Sequence, residues 1–294
     1  MLLLPQVILD GILIGGVYIT IAIGFSLVFG VMHIIDFAVG EWIMLGAFMG
    51  YYVNSWLGLD PFILLPFVFF VFFAVGYLLQ PAIGRVISGK RGNPLLMGLV
   101  FTFGIMLMIR GLGLTIFGFY SRSIPTKLAA SSWLFESGDF FLTVPFVRLA
   151  GLLFALLITL ALSYMLKKTD FGTGVRALAQ HRESAGLMGV NSRKTNCVIY
   201  GIYVGISAMT GVLIATIFSM TPMEGGRYTV LAFFVVVLAG MGYLPGVPWA
   251  ALLLGLIQSI FIVYLSASYT LLAVFVFLYI ILLISPKGLF GKGW

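Results

Sequence analysis

The chain has 294 residues, of which 62% are hydrophobic and only 9% charged, against roughly 25% charged residues in soluble domains, and this excludes an ordinary water-soluble fold. A net charge of +7 could suggest nucleic acid. The basic residues, however, cluster between apolar stretches of about 20 residues, the pattern of a polytopic membrane protein with no nucleic-acid partner. Cys197 is the lone cysteine, which excludes an internal disulfide, and with His33 and His181 it makes no zinc ligand set.

Apolar segments at 7–31, 38–56, 61–80, 94–118, 145–166, 196–219, 229–243, 247–265 and 269–285 predict nine crossings. Residues 1–5 lack the basic start and small-residue cleavage site of a signal peptide, so the first segment is expected to remain as a span. Most basic residues fall in three places: Arg85, Lys90 and Arg91; Lys167, Lys168, Arg176, Arg182, Arg193 and Lys194; and Lys287 and Lys292. These mark the cytoplasmic side, with the C-terminus inside and the N-terminus outside, in keeping with an odd number of crossings. The expected fold is all-α, a polytopic integral membrane protein of about 8–9 transmembrane helices. It forms one domain over residues 1–294, with two broken or re-entrant segments.

The first expected break is residues 30–41, where Asp36 and Glu41 sit between apolar stretches. A charge at mid-bilayer costs roughly 2.5–3.5 kcal/mol, so such groups face a cavity or a partner. A helix from residue 7 would be about 37 Å long at Val31, at ~1.5 Å per residue, beyond a ~30 Å hydrocarbon core. The two acids therefore either line a cargo path at a helix break or face water at the cytoplasmic boundary. Asp10 and Arg110 lie near helix ends and are expected to snorkel. Tyr18, Ser26, Asn54 and Gln258 offer hydrogen bonds to cargo or between helices. Gly46 with Gly50, and Gly201 with Gly205, have the spacing for close helix packing.

Residues 84–90 fit Gly-x4-Gly-Lys, but Arg91 stands where a phosphate loop needs Ser or Thr, so no nucleotide site is expected. The loop 119–144 carries Arg122, Lys127, Glu136 and Asp139 beside Pro125, Trp133 and Phe135, and reads as an external connector, with part of an extracytoplasmic docking surface as the alternative. The loop 167–195 is different. Residues 175–188 are good helix formers and end at Gly189, a natural C-cap. With Ala177, Ser184 and Ala185 small on one side, this helix suits a partner's groove. The second expected break is residues 219–246, with Pro222, Gly225, Gly226, Gly240, Gly242, Pro245 and Gly246. Gly/Pro-interrupted segments in corresponding halves point to broken helices lining a pathway, and to a diverged duplication.

The pattern Glu183-x-Ala185-x-x-x-Gly189 resembles the coupling motif of importer-type ABC permeases, which seats the nucleotide-binding subunit. Residues 15–32, then Phe37-Ala38, Gly40-Glu41 and Met44-Leu45-Gly46, resemble LivH-type permeases, the membrane subunits of branched-chain amino-acid ABC importers. Residues 176–191, 238–242, Pro245-Gly246 and 286–291 continue that resemblance in order over nearly the whole chain. The resemblance implies ATPase coupling through Arg176, Glu183, Ser184, Ala185, Gly189 and Asn191. Together with the expected breaks, it directs attention to a translocation pathway of Tyr18, Ser26, Asp36, Phe37, Gly40, Glu41, Gly240 and Gly242.

Its implied partners are a homologous permease subunit, as heterodimer or homodimer, two cytoplasmic ATPases, an extracytoplasmic solute-binding protein and a small-molecule cargo. ATP and magnesium would sit on the ATPases and no cofactor on this chain, in a bacterial inner membrane. Two departures bear on cargo. The family's Asn-Phe-Ala-His-Gly-Glu is here Asp36-Phe37-Ala38-Val39-Gly40-Glu41, closer to ribose-type sugar permeases, and Leu231 stands where a Lys is common. An amide, urea or sugar is the alternative cargo. An ion-coupled stand-alone transporter using Asp36 or Glu41 is the alternative mechanism.

Overall fold

The computed structural model describes residues 4–87, 93–126, 128, 132–137, 140–265 and 269–291. Lys90, Arg91, Lys127, Asp139 and Lys292 lie outside the described residues. Each of the nine apolar segments is helical: α1 (Leu4–Met32), α2 (Val39–Leu57), α3 (Pro61–Ile87), α4 (Pro94–Phe117), α5 (Phe146–Lys168), α8 (Ser192–Ile217), α9 (Gly225–Ala239), α10 (Val247–Tyr264) and α11 (Thr270–Ile284). Between α5 and α8 lie two short helices, α6 (Asp170–Gln180) and α7 (Arg182–Leu187). Among the described residues six helices are long and apolar enough to cross a membrane, while α9 and α11 are shorter apolar helices of 15 residues each. The chain is an all-α polytopic membrane protein.

Two differences from the expected elements have physical reasons. Helix α3 runs seven residues past the expected end because Pro81 does not stop it; a proline in a membrane helix is tolerated when neighbours re-satisfy the freed groups. The buried Gln80 beside it accepts a contact from the Cys197 thiol of α8 at 3.1 Å. The loop after α4 is more than a connector, since β1 (Ser132–Ser137) pairs antiparallel with β2 (Phe140–Pro145). Trp133 packs edge-on against Phe146 at 5.2 Å, fixing the hairpin on the start of α5.

Helices α1 and α8 form the centre, with 83% of each apolar stretch buried against 28% in α3, α4 and α5. Their neighbours are arranged in a matching way. Gly11 and Gly15 of α1 lie against Leu256 and Leu252 of α10, so these two helices run antiparallel. Gly201 and Gly205 of α8 likewise lie against Phe73 and Phe69 of α3. Gly46 and Gly50 of α2 meet Ala208 and Val212, so α2 runs along α8. The glycine pairs thus serve packing within the chain. A long buried helix, a break and three further helices occur twice, as α1–α4 and α8–α11. The two sets point in opposite directions, which is the layout of an inverted repeat.

Candidate translocation and coupling sites

The chain leaves α1 at His33, whose φ of 54° turns it out of the helix, and returns through residues 33–38 to start α2 at mid-height on α8. Backbone without regular hydrogen bonding survives at membrane depth only when protein satisfies it. Here side chains from two other helices do so. The Phe37 amide donates to Thr102 Oγ1 of α4 at 3.3 Å, and that hydroxyl reaches the Ile35 carbonyl at 3.1 Å. The Gly40 amide donates to Thr229 Oγ1 of α9 at 3.1 Å, and Thr229 reaches the Phe37 carbonyl at 3.2 Å.

Asp36 completes the arrangement. Its Oδ1 accepts from the Ala38 amide and its Oδ2 from the Tyr200 hydroxyl of α8, both at 2.7 Å. Only 1% of Asp36 and none of Glu41 is exposed. Neither acid faces water at a boundary; both are buried in the break. Phe37 is half-buried, edge-on to Phe103 at 6.2 Å.

Glu41 forms an ion pair with Arg110 of α4, whose Nε and Nη2 lie 2.9 and 2.5 Å from Oε1. This corrects the expectation that Arg110 snorkels: its head turns inward to a carboxylate. The pair sits against the first residues of α9, where a side chain at Gly225 would collide with the Glu41 carboxylate and one at Gly226 with the Arg110 guanidinium. A methyl on Gly40 would overlap the Gly225 carbonyl. The two breaks therefore meet face to face, because three glycines let backbone and ion pair share the space. Glu41 Oε2 is buried without a hydrogen-bond partner. Asp10 also pairs, with Arg148 at 2.8 Å, so it too is held by a partner.

At the opposite end of α8 lies the α6–α7 loop. The expected single helix over 175–188 is two helices, starting earlier at Asp170, because Thr169 caps it by accepting from the Gly172 amide at 3.0 Å. It breaks at His181, whose extended φ and ψ of −146° and 103° turn the chain. Gly189, at φ 89°, closes α7 with the Val190 amide bonded to the Ala185 carbonyl at 3.1 Å. Val175, Leu178 and Ala185 face inward. Leu187 and Met188 do the reverse, with 90% and 86% exposure at the tip.

Comparison with known proteins decides what this architecture belongs to. Residues 7–285 match the family model described as branched-chain amino acid transport system / permease component. The chain belongs to that family. It is 26% identical over 296 residues to the high-affinity branched-chain amino acid transport system permease protein LivH of Escherichia coli, covering 98% of this chain and 95% of the relative. It is 24% identical to BraD of Pseudomonas aeruginosa, with the same coverage, and 23% identical to a probable LivH of Methanocaldococcus jannaschii, covering 98% and 93%. No solved structure matches.

The structure distributes the expected permease residues over four places. Asp36, Phe37, Gly40 and Glu41 come together in the break. Tyr18 instead donates its hydroxyl to Gln258 across α1 and α10. Ser26 is fully buried on α1, its hydroxyl without a partner. Gly240 and Gly242, at φ 91° and 85°, lie where backbones touch: Gly240 under Gly288 and Gly291 of the C-terminal segment, Gly242 against Gly30.

In the loop, Arg176, Glu183, Ser184 and Gly189 stay near the surface, but Ala185 is buried and Asn191 caps α8 by accepting from the Lys194 amide at 3.0 Å. Residues 84–87 are the last turn of α3, and the rest of the phosphate-loop-like stretch lies outside the described residues. Residues missed from sequence are Thr102, Thr229 and Tyr200, which satisfy the break. Leu187 and Met188 were missed too, although two apolar residues beside a capping glycine in a polar loop were a visible signal.

Proposed function

We propose that this permease is one half of the membrane pathway of an ATP-driven importer in a bacterial cytoplasmic membrane, and that its cargo is a branched-chain amino acid. The cargo assignment is supported by the relatives named for that transport over nearly the full chain. A homologous permease or a second copy supplies the other half, two cytoplasmic ATPases supply the work, and a solute-binding protein delivers cargo on the side of the β1–β2 hairpin. Nine crossings then put the N-terminus outside and the C-terminus inside, with the whole chain acting as one domain.

The observation that carries the reading is the α6–α7 loop, anchored by Val175, Leu178 and Ala185 but presenting Leu187 and Met188 bare. Exposed apolar side chains on an otherwise polar protrusion mark a docking surface. ATPase closure pushes this loop, α8 carries the displacement through Tyr200 to Asp36, and the facing breaks rearrange between two states. ATP and magnesium stay on the ATPases. The carboxylates are poor coupling groups for an ion-driven transporter, because both oxygens of Asp36 are engaged and Glu41 is tied to Arg110.

The test is reconstitution in vesicles. The full set of subunits is expected to take up leucine only with ATP and binding protein present. Uptake by this chain alone under an ion gradient would overturn the proposal.

A further inference from the structure

The end of the bundle opposite the α6–α7 loop, where α1, α5 and α9 begin and α8 and α10 end, holds a cavity of about 500 Å3. That volume is in the range of small-molecule sites. Its walls come from single helix faces. Asp10, Ile14, Val17 and Tyr18 fall on one face of α1, and Arg227, Tyr228 and Leu231 follow Glu224 on one face of α9. Tyr18, two turns along α1 from Asp10, donates to Gln258 of α10 and adds polar groups to the wall.

The charges are arranged unevenly. Arg148 and Asp10 already neutralise each other at 2.8 Å. Glu224 and Arg227 form no ion pair among the described residues, although Arg227 acts electrostatically on the Glu224 carboxylate. A carboxylate, touched by the Thr221 backbone, and a guanidinium three residues on, without a direct ion pair between them, thus share a cavity whose remaining walls include Ile14, Ile214, Leu231 and Ile262. A ligand with opposite charges on adjacent atoms and a branched hydrocarbon tail answers all of these at once. A neutral polyol leaves both charges unmet and meets apolar wall with hydroxyls, which costs unpaired polar groups.

We propose that this cavity, inside one permease chain, binds a single zwitterionic α-amino acid with an aliphatic side chain. Its carboxylate faces Arg227, its ammonium faces Glu224, and its side chain lies on the Ile14–Leu231 wall. The proposal rests on the importer reading and adds a holding site on the entry side, above the break.

The complex with its ATPases and the variant Ile262→Cys provides the test. Ile262 is 39% exposed at the cavity wall, and the native Cys197 is buried. Alkylation of the new cysteine by a polar maleimide is expected to slow in leucine but not in 4-methylpentanoate, which lacks the ammonium, or isopentylamine, which lacks the carboxylate. Glu224→Gln or Arg227→Gln is expected to raise the half-protecting leucine concentration about thirtyfold, equivalent to about 2 kcal/mol at 1.4 kcal/mol per tenfold. Glu224→Asp and Arg227→Lys should keep most of the protection and control for folding. Equal protection by leucine and both single-charge analogues would overturn the proposal. Absence of protection in a complex that imports leucine would overturn it too and leave the importer reading standing. Protection without ATP-driven import would uphold the cavity and sink the importer reading instead.

Discussion

The break between α1 and α2 and the loop between α6 and α7 are both interruptions of helix, yet they treat their polar and apolar groups in opposite ways. In the break each named backbone group has a side-chain partner, and two carboxylates are buried to 1% and 0% exposure. In the loop Arg182 and Glu183 face outward while Leu187 and Met188 are left uncovered. The first meets its named backbone groups within the chain, with Glu41 Oε2 the exception among its carboxylate oxygens, and the second leaves its apolar tip uncovered. A self-contained interruption suits a pathway that must hold its shape in a membrane, whereas an incomplete one suits a surface finished by another subunit. Substitutions in the break should therefore appear as lost stability, and those at the loop tip as lost coupling.

The largest effect is expected from Arg110→Ala, which leaves the buried Glu41 carboxylate without its counter-ion. Breaking a buried pair costs about 3–5 kcal/mol, and the lower end applies because Arg110 is 26% exposed. Thermal unfolding in detergent should show it, with substantial recovery in the double variant Glu41→Gln, Arg110→Met. A large loss in both single variants with no recovery in the double would mean the pair matters for something besides neutralising charge. Gly40→Ala comes next. The added methyl meets the Gly225 backbone, and overpacking against backbone costs about 1–3 kcal/mol. A wild-type melting temperature in this variant would show that the breaks do not meet as described.

The sequence carried the helices and the existence of both interruptions, but not how they close. Apolar runs place the membrane helices because burial in lipid is a local demand on each segment. What Glu41 pairs with is a tertiary matter: Arg110 lies 69 residues away on a helix whose rotation no local pattern sets. Helix arithmetic told where α1 outlasts the bilayer but not that the chain turns back, since the return depends on Thr102, Thr229 and Tyr200 from other elements. The split at His181 was hidden because helix propensity over 175–188 is good throughout and inward packing of Ala185 overrides it. The hairpin was missed where charges and aromatics disguised an alternating pattern in 132–145.

Asp36→Asn separates charge from shape within the break. The amide keeps an acceptor for the Ala38 amide, and the second contact can reverse with the side-chain NH2 donating to the Tyr200 hydroxyl. One hydrogen bond of changed polarity is worth about 1 kcal/mol, so the variant should fold with a slightly lowered melting temperature and retain transport. Abolished transport in a stable Asp36→Asn protein would give the carboxylate a role beyond holding the break together and would revive the ion-coupled mechanism.

The smallest structural effect and the sharpest functional one are expected from Leu187→Glu with Met188→Glu. Both side chains are almost fully exposed and support nothing in the chain, so the melting temperature should stay within about 0.5 kcal/mol of wild type in stability terms. Each removes an apolar anchor from a docking surface, where a well-seated contact contributes about 2 kcal/mol or more. The ATPases should therefore co-purify poorly, or hydrolyse ATP without cargo-dependent stimulation. Ala185→Glu is the contrasting variant: a charge at that inward position would unseat α7 itself, and lost coupling there would say nothing about docking. If the double tip variant couples normally while Ala185→Glu does not, the ATPases read the shape of the loop and not its apolar tip, and the contrast between the two interruptions would need redrawing.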